Sequence, residues 1–312
     1  MIHLTPPGNL FQDQYVTRAS ELLRTWQGEV VHSYGLIGVP LAKSSISHSG
    51  AHLAPAAFRQ SLSSFTTYAV ESGCDLQRER IIDFGDIAMH ATDVTESHKR
   101  IKDTVYELLQ ENEKLFPIII GGDHSVSYPA IAAFQQARGK TAVIQFDAHC
   151  DVRNLQDGGV TNGTPFRKLL EEKHIEGDYL YQVGIRNFVN SEAYIHYVKQ
   201  AGVRMVTMEE VEKVGIQSVI QSILKEVGEK AEHLYVSLDM DVLDQAYAPG
   251  CPAAAPGGMT SSVLMEALNL IARSPLFSGI DIVEVDPSVD FRSMTSKLSA
   301  YLILSLLTKR MK

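Results

Sequence analysis

The chain has 312 residues, 45% of them apolar and 21% charged, enough to bury a large core in one domain spanning 1–312. A formal net charge of −9 with no block of like charge argues against a nucleic-acid or anionic-membrane partner. No apolar run reaches the ~20 residues of a membrane helix, residues 1–11 lack a basic stretch before an apolar core, and Cys74, Cys150 and Cys251 form neither a disulfide framework nor a thiolate metal site, so a reducing cytoplasm is expected.

In chain order, apolar and β-branched runs bounded by Gly, Pro or Asp alternate with helix-like segments. A strand at 34–39 leads to a helix at 55–64, a strand at 80–84 to a helix at 94–112, and a strand at 117–120 to a helix at 125–137. Strands at 142–146 and 179–183 precede a helix at 191–201. Strands at 203–206, 234–238 and 280–285 are followed by helices at 216–227, 261–272 and 293–307. Parallel neighbours need a crossover, usually a helix, so this alternation implies a three-layer α/β/α fold around a mainly parallel sheet. Ligands of such sheets bind beyond the carboxyl ends of the strands, where polar residues carry the chemistry.

Three polar runs follow apolar strands. In Gln145-Phe146-Asp147-Ala148-His149-Cys150-Asp151, an extended chain turns Asp147, His149 and Asp151 to one side and leaves Cys150 on the other as a small packed residue. Asp239-Met240-Asp241 adds two carboxylates at the next such strand end, and Gly121-Gly122-Asp123-His124-Ser125 brings His124 to the sheet edge. Each run alone reads as a turn or a helix cap. Together they concentrate carboxylates that would repel one another without a cation. Four aspartates and two histidines suit two ions sharing bridging carboxylates, and carboxylate with some imidazole and no thiolate favours Mn²⁺. Ions paired in this way lie ~3.5–4 Å apart and acidify a bridging water into a hydroxide nucleophile.

From about Leu36 to the C-terminus the chain resembles the ureohydrolase superfamily of arginases, agmatinases and formimidoylglutamases. The three runs resemble that family's metal motifs in order, with weaker matches at 50–59, 184–186, 256–258 and 281–286. The resemblance implies an arginase-like fold, assembly as a homo-oligomer (trimer or hexamer), and two Mn²⁺ per subunit. It implies His124 and Asp151 on one ion, His149 and Asp241 on the other, and Asp147 and Asp239 on both. Glu284 resembles the carboxylate that holds the substrate's guanidinium or amidinium.

The expected reaction is attack of the hydroxide on a C=N carbon and loss of an amine, with Asp151 carrying the proton. Arginases and agmatinases usually have His-Gly-x-Pro after the second motif; here the run is Asn162-Gly163-Thr164-Pro165, and an amide does not shuttle protons as imidazole does. Arg153 offers a planar fork for a carboxylate. Agmatine has no carboxylate, whereas N-formimidoyl-L-glutamate has two, so the chain is most like the formimidoylglutamase branch, a step of histidine degradation. Asn154 and Asn162 are further candidates for substrate contacts, and Arg186 for a contact with either the substrate or the fold. The alternatives are agmatinase or another guanidino-compound ureohydrolase, and a non-catalytic metal-binding assembly protein. A nucleotide-binding protein lacks support, because no glycine-rich phosphate loop is present.

Overall fold

The structure, a computed structural model, describes residues 13–310; the expectation drawn from residues 1–11 about a leader lies outside them. Its centre is a nine-stranded sheet in the order β1-β5-β2-β6-β11-β10-β7-β8-β9, parallel at every pairing. The strands are β1 (Leu23–Thr25), β2 (Tyr34–Gly38), β5 (Ile81–Asp86), β6 (Phe116–Ile120), β7 (Thr141–Phe146), β8 (Leu180–Ile185), β9 (Arg204–Thr207), β10 (His233–Asp239) and β11 (Phe277–Val283). A separate two-residue pair, β3 (Tyr68–Ala69) with β4 (Cys74–Asp75), is antiparallel.

Helices cover both faces, which is why β6 and β7 are buried along their whole length and read as continuous apolar runs. On one face Leu36, Ile118, Ile144, Val236 and Ile282 pack against α1 (Ala54–Leu62), α6 (Met208–Val214), α7 (Ile216–Lys230), α8 (Ser261–Ala272) and α9 (Met294–Arg310). On the other, Ile37, Ile119, Val143 and Tyr235 meet α2 (Val94–Glu111), α3 (Ser127–Arg138), α4 (Pro165–Glu171) and α5 (Glu192–Gln200). The three-layer fold is therefore as expected. Side-chain caps fix several helix starts: Asp93 accepts from the Glu96 N–H, Ser191 from Tyr194 and Thr260 from Val263.

The strand order creates the site. The chain passes from β6 to β7 across a gap of two places, and only later do β10 and β11 return to fill it. Four strand ends, of β6, β11, β10 and β7, thus lie side by side at a topological switch point. The strand expected to reach residue 285 stops at Val283, because Glu284 turns into the left-handed region with φ of 59°. The helix expected from residue 125 begins at Ser127, after a 3₁₀ turn at His124–Val126. Among the described residues no helix is long and apolar enough to cross a membrane.

Candidate active site

Three aspartates repeat one local device. Beyond β6, Asp123 Oδ1 accepts from the Ser125 N–H at 3.0 Å; beyond β7, Asp147 Oδ1 accepts from His149 N–H at 2.6 Å; at the end of β10, Asp239 Oδ1 accepts from Asp241 N–H at 2.8 Å. Each is a carboxylate closing a turn on the residue two places on. The expected extended run through residues 147–151 is therefore corrected: the strand ends at Phe146, Asp151 has φ of 50°, and folding back, not strand alternation, makes the side chains converge. Gly122 lets the first turn pass, since a Cβ there would sit 1.6 Å from the Leu41 carbonyl oxygen.

The six residues singled out as metal ligands do come together. His124 Nδ1 lies 2.8 Å from Asp151 Oδ2, 3.0 Å from Asp147 Oδ2 and 3.2 Å from Asp239 Oδ2. His149 Nδ1 lies 3.0 Å from Asp241 Oδ2 and 3.4 Å from Asp147 Oδ1. Two groups result, His124 with Asp147, Asp151 and Asp239, and Asp147 with His149 and Asp241. Asp147 belongs to both through its two oxygens, whereas Asp239 falls in the His124 group alone.

These donors fit cations. His124 Nδ1 is buried without a hydrogen-bond partner, although three carboxylate oxygens face it, and carboxylates so packed need positive charge among them. Burial, with Asp241 and Asp147 adding to it, pushes Asp239 well above the usual carboxylate range. Burial, then Asp147, raises Asp151 to about 6. Burial disfavours the charged form of His149, yet Asp241 and Asp147 outweigh it and push the imidazole up to about 12. The crowded carboxylates thus favour positive charge among them, and hard oxygens plus two imidazole nitrogens are the donor set of a divalent cation.

Glu284 closes the site at the end of β11. Its N–H donates to the Gly122 carbonyl at 2.9 Å. Its Oε1 accepts from the His124 N–H at 2.8 Å and from Asn162 Nδ2 at 3.1 Å, while Oε2 is buried without a partner. Burial, then the neighbouring Asp123, raises its carboxyl to about 8. Glu284 and Asp151 both hold left-handed backbone that non-glycine residues rarely adopt, a form of strain that clusters at working sites.

The arginase family model matches residues 32–308. The chain belongs to the arginase family. It is 50% identical over 304 residues to the formimidoylglutamase of Bacillus subtilis, covering 97% of this chain and 95% of that one. The crystal structure of formimidoylglutamase from that organism superposes with a TM-score of 0.96 at 49% identity, over 98% of this chain and 96% of the other. A crystal structure of Trypanosoma cruzi formiminoglutamase with Mn²⁺ has a TM-score of 0.80 at 26% identity, over 88% of this chain and 92% of that one.

Around the cluster of this arginase-family chain, the expected substrate contacts separate. Asn162 touches Glu284 directly. Arg153 is exposed and lays its stem over Gly163, where a Cβ would lie 2.6 Å from Arg153 Cδ; its guanidinium makes no ion pair with a described residue. Asn154 is tied within the protein: its Oδ1 accepts from the Gln156 and Asp157 N–H groups, both at 3.0 Å, and its Nδ2 donates to Asp157 at 2.8 Å and to the Tyr194 hydroxyl at 3.3 Å. Of the two roles open to Arg186, the structure shows the one in the fold: it is buried and donates to the carbonyls of Leu243, Ala255 and Asp241, clamping the segment behind Asp241. Cys150 is buried as expected, and burial pushes its thiol up.

Sequence reasoning missed Asp123 and Gln145. Asp123 is held by the Ser44 hydroxyl at 2.9 Å, and Gln145 Nε2 donates to Asp147 Oδ2 at 2.7 Å while Gln145 Oε1 accepts from Gln182 Nε2 at 2.7 Å. The available signal for Gln145 was a lone amide inside an otherwise apolar strand.

Proposed function

We propose that the chain hydrolyses N-formimidoyl-L-glutamate to L-glutamate and formamide with two Mn²⁺ held by His124, Asp147, His149, Asp151, Asp239 and Asp241. The near-full-length identity to the B. subtilis formimidoylglutamase carries this reading. A cytoplasmic homo-oligomer, a trimer or hexamer, remains part of the proposal.

When bound, a pair of divalent ions makes water a nucleophile at neutral pH. The protein's own residues do the rest. Glu284 offers the unpartnered Oε2 to the amidinium, while His124 N–H and Asn162 hold Oε1 in place. Arg153, with no ion pair to a described residue, supplies a two-pronged contact for a glutamate carboxylate. As the water oxygen bonds to the amidine carbon, Asp151 Oδ accepts the water proton and returns it to the glutamate nitrogen as the C–N bond breaks. Formamide leaves from the carbon side and the amine of glutamate from the other.

The test is release of formamide and amine from formimidoylglutamate, agmatine and arginine in parallel, by Mn²⁺-loaded and chelated protein. Metal-dependent turnover of formimidoylglutamate alone supports the reading. A preference for a guanidine keeps the hydrolase and overturns the substrate and the role of Arg153.

A further inference from the structure

Beneath the cluster a row of polar side chains crosses the sheet. Ser237 of β10 pairs in register with Gln145 of β7 and with Asp281 of β11, and Gln145 pairs with Gln182 of β8. All four are fully buried, in a sheet covered on both faces where Val, Ile and Leu are the ordinary occupants. Gln182 and Gln145 lead to Asp147, as described above. Ser237 and Asp281 lead elsewhere.

The Ser237 hydroxyl stands 3.1 Å from His124 Nε2 and donates to Asp281 Oδ1 at 2.8 Å, with the Ser127 hydroxyl 3.2 Å away as a second possible acceptor. The same Asp281 oxygen takes a hydrogen bond from Ser127 Oγ at 3.0 Å. A serine hydroxyl has one proton. Directed towards Asp281 or Ser127, that proton leaves Ser237 as acceptor from His124, so Nε2 carries the imidazole hydrogen and Nδ1 keeps its lone pair. Nδ1 is the atom that faces Asp147, Asp151 and Asp239 without a hydrogen-bond partner.

We propose that Asp281, acting through Ser237, is a positioning residue that fixes the tautomer and ring orientation of His124 for one of the two cations. It touches neither cation nor substrate. The proposal rests on the metal reading above, and accounts for a buried carboxylate three residues before Glu284 that the reaction itself does not use. Outer partners of metal-bound histidine govern affinity in this way generally.

The experiment is Mn²⁺ titration of the full chain and of Ser237→Ala, Asp281→Asn and the double variant, followed by the electron paramagnetic resonance of free Mn²⁺, with melting of the metal-free forms recorded alongside. Each single change is expected to weaken one of the two ions about 10- to 100-fold, leaving the other near the parent's affinity. Because the two residues act in series, the double variant is expected to lose no more than the worse single one. Unchanged affinity in Ser237→Ala, equal weakening of both ions, or additive losses in the double variant overturns the relay. If Asp281→Asn does not fold, Ser237→Ala decides alone, since it removes one hydroxyl and leaves the packing. A parent chain that binds no Mn²⁺ defeats the metal reading itself, a result distinct from two-ion binding indifferent to Ser237.

Discussion

The Asn162 amide donates to Glu284 Oε1 at 3.1 Å, joining the position where the family's usual histidine is absent to the carboxylate assigned to the amidinium. The same amide accepts from the Ile46 N–H at 3.1 Å, so it needs both a donor and an acceptor end. Asn162→Asp keeps the shape and removes the donor, setting two carboxylates against each other. Loss of a hydrogen bond to a charged group costs about 1.5–3 kcal/mol, which at this contact corresponds to roughly a 10- to 100-fold fall in kcat/KM. Steady-state kinetics with formimidoylglutamate check it, and an unaltered kcat/KM removes Asn162 from the site.

Asp147 is the one carboxylate shared by both ligand groups. Replacing it with Ala is therefore expected to lower the metal content from two ions per chain to less than one. Asp241→Ala removes a ligand from the second group alone and is expected to leave about one ion. Elemental analysis of dialysed protein distinguishes the cases; two ions in Asp147→Ala, or the same content in both variants, contradicts the grouping.

Asp151 is a ligand candidate and the proposed proton carrier, and its backbone is held at φ of 50°. Asp151→Asn preserves volume and one carbonyl oxygen, so it is expected to retain part of the metal while turnover falls about 10²- to 10⁴-fold, the range of general acid–base catalysis. Normalising kcat to bound metal separates the two effects. A normalised kcat equal to the parent's assigns proton transfer to another group.

What the sequence disclosed and what it hid follow from how far each interaction reaches. The convergence of the six candidate ligands was legible because three motifs each end a strand, and a turn closed by Asp147 on His149 is a contact between near neighbours. The path between those motifs was also legible, since apolar runs such as residues 117–120 mark buried strands. Hidden were short pieces with too little periodicity, among them β1 at the sheet edge, α4 and α6. Hidden too were the tasks of individual polar side chains. Arg186 and Arg153 look alike in sequence, yet one grips the carbonyl of Asp241, 55 residues away, and the guanidinium of the other makes no ion pair with a described residue. Ser237 and Asp281 meet across 44 residues only because β10 and β11 return into the gap between β6 and β7.

Arg153 is the exposed group assigned to a substrate carboxylate. Its removal is expected to act on binding: Arg153→Ala should raise KM for formimidoylglutamate about 10- to 100-fold, the equivalent of ~1.5–3 kcal/mol for a charged hydrogen bond, with kcat little changed. Arg153→Lys keeps the charge without the fork and should recover only part. Equal KM values in all three forms would falsify the assignment.

His98 provides a pH dependence of stability outside the ligand cluster. It lies on α2 with Nε2 2.9 Å from the Ser125 hydroxyl, and burial, with Lys168 adding to it, lowers its imidazole from 6.5 to about 4. The unfolded chain takes up this proton near pH 6.5 and the folded chain does not until about pH 4. Between those values the unfolded state binds more protons, so stability falls as the pH falls. A depression of this size corresponds to roughly 3 kcal/mol at most, fully present above pH 6.5 and lost progressively in acid. His98→Gln retains a side-chain amide beside Ser125 but has no titrating ring, so it removes this component. Chemical denaturation of metal-free parent and variant at several pH values between 7.5 and 4.5 is the check, because the carboxylate contributions are common to both and cancel in the difference. The variant is expected to lose less stability over that interval than the parent; parallel curves mean that His98 is protonated in the folded chain and that its imidazole is not held neutral by burial.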